Sequence, residues 1–103
     1  MLIITTENIP GKSFEVLGMV KGCTVHSKHL GKDIGASFKT LVGGEIKGYT
    51  EMLEEARKIA EERMTAEAEA LGADAIIGVR YSSSSVMQAA SEVLVYGTAV
   101  KLV

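Results

Sequence analysis

The C-terminal strand of this 103-residue chain is apolar on both faces, and this feature constrains the fold more than any other. Alternate residues of a strand point to opposite sides of a sheet. The apolar side chains on the two sides of the strand from Val93 to Val103 are Val93, Val95 and Ala99, and Leu94, Tyr96, Val100 and Leu102. A strand of this kind needs cover on both faces. Because so short a chain can hardly supply both covers, the pattern predicts that copies of the chain assemble.

The length of the chain indicates the number of domains, and its composition indicates which residue types form the core. A chain of 103 residues has the usual size of one domain, so residues 1–103 are expected to share a single core. The five aromatic side chains are Phe14, Phe38, Tyr49, Tyr81 and Tyr96. Since there is no tryptophan, the core has to be built from aliphatic residues, methionine and alanine.

Charge and cysteine content exclude several classes of protein. The net charge is -2 and the basic residues are scattered, whereas nucleic-acid binding requires clustered lysine and arginine. No apolar run is long enough to span a membrane, and the apolar start, Met1 to Ile4, is too short for a signal peptide. The single cysteine, Cys23, cannot form an intrachain disulfide. These features predict a cytoplasmic protein that binds neither nucleic acid nor membrane.

The N-terminal half predicts two strands and a helix. Residues 1–6 are apolar and β-branched, and residues 13–25 alternate with a period of two. Within this second strand, Gly18 and Gly22 predict a bend, a bulge or a close backbone approach. Apolar residues then recur at helical spacing from Leu30 to Val42, and Gly43 follows as a stop.

The C-terminal half predicts a longer helix and two more strands. Thr50 is a favourable N-cap for the helix and Gly72 a favourable stop. The predicted buried stripe of this helix is Leu53, Ala56, Ile59, Ala60, Met64 and Leu71. Strands follow at residues 75–81 and 93–103, and the four serines from Ser82 open a predicted hairpin loop or flap up to Ser91.

These elements predict an α+β fold with two layers. The order is β-β-α-α-β-β, with both helices on one face of a mainly antiparallel sheet. The second face then remains apolar and uncovered, which a soluble monomer rarely tolerates. Contact between the sheets of identical subunits, closing as a ring, would cover it.

Several short motifs, in a fixed order over nearly the whole chain, resemble the YbjQ-like family of small, largely uncharacterised bacterial and archaeal proteins. The motifs are Gly43-Gly44-Glu45, Tyr49-Thr50, Glu55-Ala56-Arg57 with Ala60, Leu71-Gly72-Ala73-Asp74-Ala75-Ile76-Ile77-Gly78-Val79-Arg80 and Tyr96-Gly97-Thr98-Ala99-Val100. The resemblance implies a compact α+β subunit that assembles as a homopentamer, and it brings no catalytic mechanism. Family members are sometimes labelled heavy-metal-binding, although the shared motifs consist of residues that shape the backbone: Gly72 stops a helix, Asp74 turns into a strand, and Gly78 and Gly97 allow close approach.

One set of residues has the chemistry of metal ligands. Cys23, His26 and His29 have the spacing Cys-x-x-His-x-x-His, and a thiolate with two imidazoles suits a divalent or heavy-metal ion such as zinc or copper. If the strand continued from Cys23 to His26, their backbones would lie about 10 Å apart, so a shared metal requires a turn between them. The structural alternative is a buried thiol and two surface histidines.

Glu45 and Arg80 are the candidate ligand-binding residues. Glu45 follows two glycines and would serve as an acid or base at a subunit junction or in a pocket, with Arg80 as an anion partner. The alternative is a solvated carboxylate and an exposed strand arginine. No second carboxylate is tied to Glu45 by spacing, and the serine run lacks the signature of a nucleophile.

The sequence therefore favours a homo-oligomeric binding or scaffold protein that holds a metal ion or small ligand. The alternatives are an enzyme with its active site at the subunit junction and a purely structural ring that docks another protein. An enzyme is less favoured because the motifs supply no catalytic set. The sequence identifies neither the ligand nor the pathway.

Overall fold

Four strands and one helix make up the described part of the chain, residues 1–27, 47–87 and 90–103, in a computed structural model. The elements are β1 (Leu2–Ile3), β2 (Phe14–Ser27), α1 (Lys47–Ala70), β3 (Ala75–Met87) and β4 (Ala90–Leu102). They form one sheet in the order β1-β3-β4-β2. The strand that is apolar on both faces, β4, therefore lies in the interior of the sheet, between β3 and β2, with which it pairs antiparallel.

The predicted fold of two helices on a mainly antiparallel sheet, as the unit of a ring, is wrong. The described residues contain one helix, and from β2 onwards their order is β-α-β-β. The sheet is mixed because β1 runs parallel to β3. The helix predicted between Leu30 and Val42 lies outside the described residues. The helix α1, with 24 residues, is about 36 Å long and packs mainly on β2 and β4.

Small side chains bring α1 close to the sheet. Ala56, Ala60, Met64 and Ala68 recur every fourth residue and are buried, so they form one narrow stripe. The stripe was predicted only in part, since Ala68 was missed and Leu71 is 48% exposed. The stripe packs on one face of β2 and β4, which we call the helix face, against Val20, Val93, Val95 and Ala99.

The two ends of α1 differ in how well they were predicted. The helix begins at Lys47, so the N-cap prediction for Thr50 is wrong. At the other end, Gly72 has a φ of 78° and its N–H donates to Glu69 O at 3.0 Å. The N–H of Ala73 donates to Ala68 O, also at 3.0 Å. This pair of bonds is a Schellman motif, which confirms Gly72 as the helix stop.

The N-terminal segment covers part of the opposite side of the sheet, which we call the second face. Ile4, Ile9 and Phe14 pack there on a small buried cluster of Ala75, Ile77 and Val100. Backbone hydrogen bonds hold the segment along the start of β3, with Ile4 N–H donating to Ile76 O at 3.0 Å. This cover was not predicted, because it depends on a contact between distant parts of the chain.

The serine run is part of β3, and its prediction as a loop or flap is wrong. Ser82 pairs with Leu94 and Ser85 pairs with Ser91 across the β3–β4 ladder. Serine has little intrinsic preference for strands, but pairing with a strongly strand-forming neighbour overrides local preference. The predicted third and fourth strands are thus confirmed, and both are longer than expected.

Candidate functional site

Of the described residues, those of the N-terminal segment alone cover the second face, and β2 exposes apolar side chains there as the sequence predicted. Cross-strand partners share a face, so the register places Val16, Met19 and Val25 on the same side as Val100. Their exposed fractions are 66%, 71% and 57%. Tyr96 on β4 is 38% exposed on the same side. We refer to these exposed residues of β2 and β4 as the second-face patch.

A row of polar side chains crosses the patch. Tyr96 pairs with Lys21 on β2 and with Arg80 on β3, so the ring of Tyr96 lies between two cationic residues. Arg80 Nη1 donates to Thr5 O and to Val79 O, both at 2.9 Å. Arg80 therefore fastens the N-terminal segment to the sheet, a role that its sequence neighbourhood did not reveal. Its proposed partner, Glu45, lies outside the described residues, and their joint site stays a prediction.

Two side chains of α1 reach over the outer edge of β2. Glu67 Oε1 accepts a hydrogen bond from Lys21 N–H at 3.2 Å, and Arg63 Nη1 donates to Cys23 O at 2.7 Å. Arg63 and Glu67 lie one helical turn apart, which matches the spacing of these two strand residues. They satisfy backbone groups that an edge strand otherwise leaves open.

A groove of about 490 Å³ lies at this edge. Its lining residues are Lys21, Gly22, Cys23, Arg63, Glu67, Glu92 and Leu94. The thiol of Cys23 is free and half-buried, and the lining also carries two cations and two carboxylates. Such a mixed lining suits a small polar ligand with both charged and apolar parts.

The predicted metal ligands are only partly located. Cys23 lies at the groove, His26 belongs to β2 through its backbone pairing with Ser91, and His29 lies outside the described residues. Within residues 1–27, 47–87 and 90–103, no three His, Cys, Asp or Glu side chains come together to hold a metal. The Cys23, His26 and His29 site stays a prediction.

A tyrosine on the helix face was not singled out by the sequence. The hydroxyl of Tyr81 donates to Glu61 Oε1 of α1. Burial, together with the hydrogen bond and the negative charge of Glu61, raises the pKa of Tyr81 to about 12. Tyr81 therefore stays protonated at neutral pH and ties β3 to the helix.

Asp74 links two strands at the end of the sheet where β3 begins and β4 ends. Its Oδ2 accepts a hydrogen bond from Leu102 N–H at 2.9 Å and lies 3.5 Å from Lys101 Nζ. The Leu102 hydrogen bond, with a smaller contribution from Lys101, lowers the pKa of Asp74. This motif residue is thus structural, as expected, because it joins the start of β3 to the end of β4.

An apolar sheet face with a cationic row lies beside a groove that carries a free thiol, and both are built largely on β2 and β4. In the described ranges, no helix has the length and apolar character needed to cross a membrane.

Relatives of known sequence cover the whole chain. UPF0145 proteins from Thermotoga petrophila and Thermotoga maritima are 69% and 68% identical to it, with 99% of this chain and 97% of each relative aligned. A UPF0145 protein from Clostridioides difficile is 63% identical, over 99% of this chain and 92% of its own length.

A solved structure shares the fold. A protein of unknown function from Pediococcus pentosaceus, assigned to the DUF74 family, superposes with a TM-score of 0.71 over 100% of this chain and 98% of its own. Its sequence is 20% identical, so the likeness concerns the fold alone. The model of the YbjQ family, described as "putative heavy-metal-binding", matches residues 1–103. From the full-length match and the closely similar relatives, the chain belongs to the YbjQ family.

Proposed function

We propose that this protein is a homo-oligomeric binding protein whose subunits pack through the second-face patch. The observation that carries the proposal is the exposure of Val16, Met19 and Val25, each more than half accessible, next to the apolar strand β4. Burying these side chains in an interface is favourable by about 25 cal/mol per Å² of apolar surface.

The sheet of a second copy is the favoured cover for this face. The outward surface of α1 is highly charged, so the helix of a neighbouring subunit would bring buried charges with it. Its exposed residues include Glu54, Glu55, Lys58, Glu62 and Arg63. A second copy of the patch is about as large and brings apolar side chains with a single cationic row, Lys21 and Arg80. The free thiol fits a cytoplasmic setting.

A charge placed in the patch tests the interface. Met19→Lys puts an ammonium group on the second face, and we expect the variant to be monomeric in native mass spectrometry. Ala66→Lys adds the same charge to the exposed surface of α1 and should keep the subunit number of the wild type. A Met19→Lys protein with the wild-type mass would contradict the proposed interface.

We further propose that the oligomer holds a metal ion or a small ligand at the β2 groove. The support is the groove volume of about 490 Å³ and its lining by Cys23, Lys21 and Glu92. Thiolate ligands favour soft metals such as copper and zinc. Titration of zinc and copper into the wild type and Cys23→Ala should show a lower stoichiometry for the variant. Equal stoichiometry would remove Cys23 as a ligand.

A further inference from the structure

The floor of the β2 groove carries opposite charges at its two ends. Cys23 of β2 pairs with Leu94 of β4 at the centre of the floor. Lys21 precedes Cys23 by two residues and Glu92 precedes Leu94 by two, so all four side chains share one face of the sheet. Because the two strands are antiparallel, Lys21 and Glu92 lie on opposite sides of the centre.

The side wall of the groove comes from α1 and adds no net charge. Arg63 Nη1 donates to Cys23 O, and Glu67 Oε1 accepts from Lys21 N–H. One guanidinium and one carboxylate therefore lie one helical turn apart along the β2 edge, and their charges offset each other. The charge that a ligand meets is then set by the floor, which is positive at Lys21 and negative at Glu92.

The two charges of the floor do not neutralise each other. Across residues 1–27, 47–87 and 90–103, neither Lys21 nor Glu92 forms an ion pair. Lys21 is exposed, whereas Glu92 is half-buried, so its carboxylate has lost part of its contact with water. Leu94 and the Cys23 thiol between them form an apolar centre. A ligand that matches this floor has an anionic end, an uncharged middle and a cationic end.

The spacing of the two charges sets the length of the ligand. Glu92 pairs with Val25, four residues beyond Lys21 on β2, so the backbones of Lys21 and Glu92 are about 14 Å apart. Strand side chains stand roughly perpendicular to the sheet, and two hydrogen bonds take up about 6 Å of this distance. About 8 Å remains for the ligand. An extended chain of two or three residues spans about 7 to 10 Å, whereas a single amino acid spans about 3.5 Å and reaches one end alone.

We propose that the β2 groove binds an extended peptide of two or three residues with free ends, its carboxylate at Lys21 and its ammonium group at Glu92. The inference rests on the proposed ligand-binding function of this groove and names the class of ligand. The uncharged middle of the peptide lies over Cys23 and Leu94. The groove, with about 490 Å³, has room for a peptide of this size.

Capped peptides test the recognition of each end. In isothermal titration calorimetry with the full chain, we expect trialanine to bind. N-acetyl-trialanine lacks the ammonium group and trialanine amide lacks the carboxylate, so each should bind at least about tenfold more weakly. Free alanine should be weakened as much, because it reaches one charge only. A capped peptide that binds as tightly as trialanine would overturn the inference.

Two variants assign the ends of the peptide to their partners. In Glu92→Gln, acetylation of the peptide should cause no further loss of affinity, and in Lys21→Gln the same should hold for amidation. Glu15→Gln changes an exposed carboxylate of β2 outside the groove lining and should respond to both caps like the wild type. A full acetylation penalty in Glu92→Gln would contradict the assigned contact.

Zinc and copper titrations separate this inference from the proposed function on which it rests. If trialanine does not bind the wild type while either metal binds in a manner that requires Cys23, the peptide inference is wrong and the groove remains a ligand site. A wild type that binds neither the peptide nor the metals overturns both.

Discussion

Gly22 sets how closely α1 approaches the sheet. A Cβ at this position would overlap the carbonyl oxygen of Ala60 and lie 2.5 Å from Met64 N. Both atoms belong to the helix backbone and cannot move aside as a flexible side chain would. We expect Gly22→Ala to lower the free energy of unfolding by about 3 kcal/mol, at the upper end of the cost of overpacking a core. Glu15→Ala, an exposed change on the same strand, should stay within about 0.5 kcal/mol in the same denaturant titration.

Asp74 makes part of the stability depend on pH. Because its folded pKa is lowered from 3.8, chiefly by the hydrogen bond from Leu102, its contribution is complete well above 3.8 and is lost as the pH falls through the folded value. Denaturant titrations between pH 7 and pH 2 should show a smaller acid-side loss of stability for Asp74→Asn than for the wild type. Identical pH profiles for the two proteins would show that the carboxylate contributes nothing.

The protection of the β2 edge depends on side chains of α1 as well as on β2 itself. Replacing both Arg63 and Glu67 by alanine removes the side chains that occupy the β2 backbone, so we expect the edge to become competent for pairing. Light scattering at rising protein concentration should then show larger particles than for the wild type. Glu62→Ala removes an exposed charge from the same helix and should leave the particle size unchanged.

An element could be predicted from the sequence where the interactions that form it lie within a few residues of each other. Gly72 ends α1 through hydrogen bonds within a few residues, so its local sequence was sufficient. Gly18 and Gly22 were correctly predicted to bulge or to allow close approach. Ser82 to Ser85 form a strand only because β4 pairs with them, and local preference gave the wrong answer. The position of Arg80 could not be predicted, since it depends on Thr5, 75 residues earlier.

At the scale of the whole molecule, α1 covers the helix face over β2 and β4, and the N-terminal segment covers part of the second face. The alternation of β2 and β4 was enough to predict that both faces are apolar, because that property depends on sequence period alone. It was not enough to predict what lies on the second face, where, in the described part of the chain, Ile4, Ile9 and Phe14 cover the end near Val100. The uncovered remainder includes Met19 and Val25, and this is the surface on which the proposed assembly depends.

Assembly through this surface links folding stability to protein concentration. If subunits associate only when folded, mass action stabilises the native state, and the midpoint of thermal unfolding rises with concentration. We expect this rise for the wild type and for Ala66→Lys when the protein concentration is raised about a hundredfold. The midpoint of Met19→Lys should be independent of concentration and equal to that of the diluted wild type, because the charge lies on an exposed side chain and affects only the associated state. A wild-type midpoint that does not change over the same dilution would mean that the second-face patch remains in water, and the apolar surface would then need a different partner.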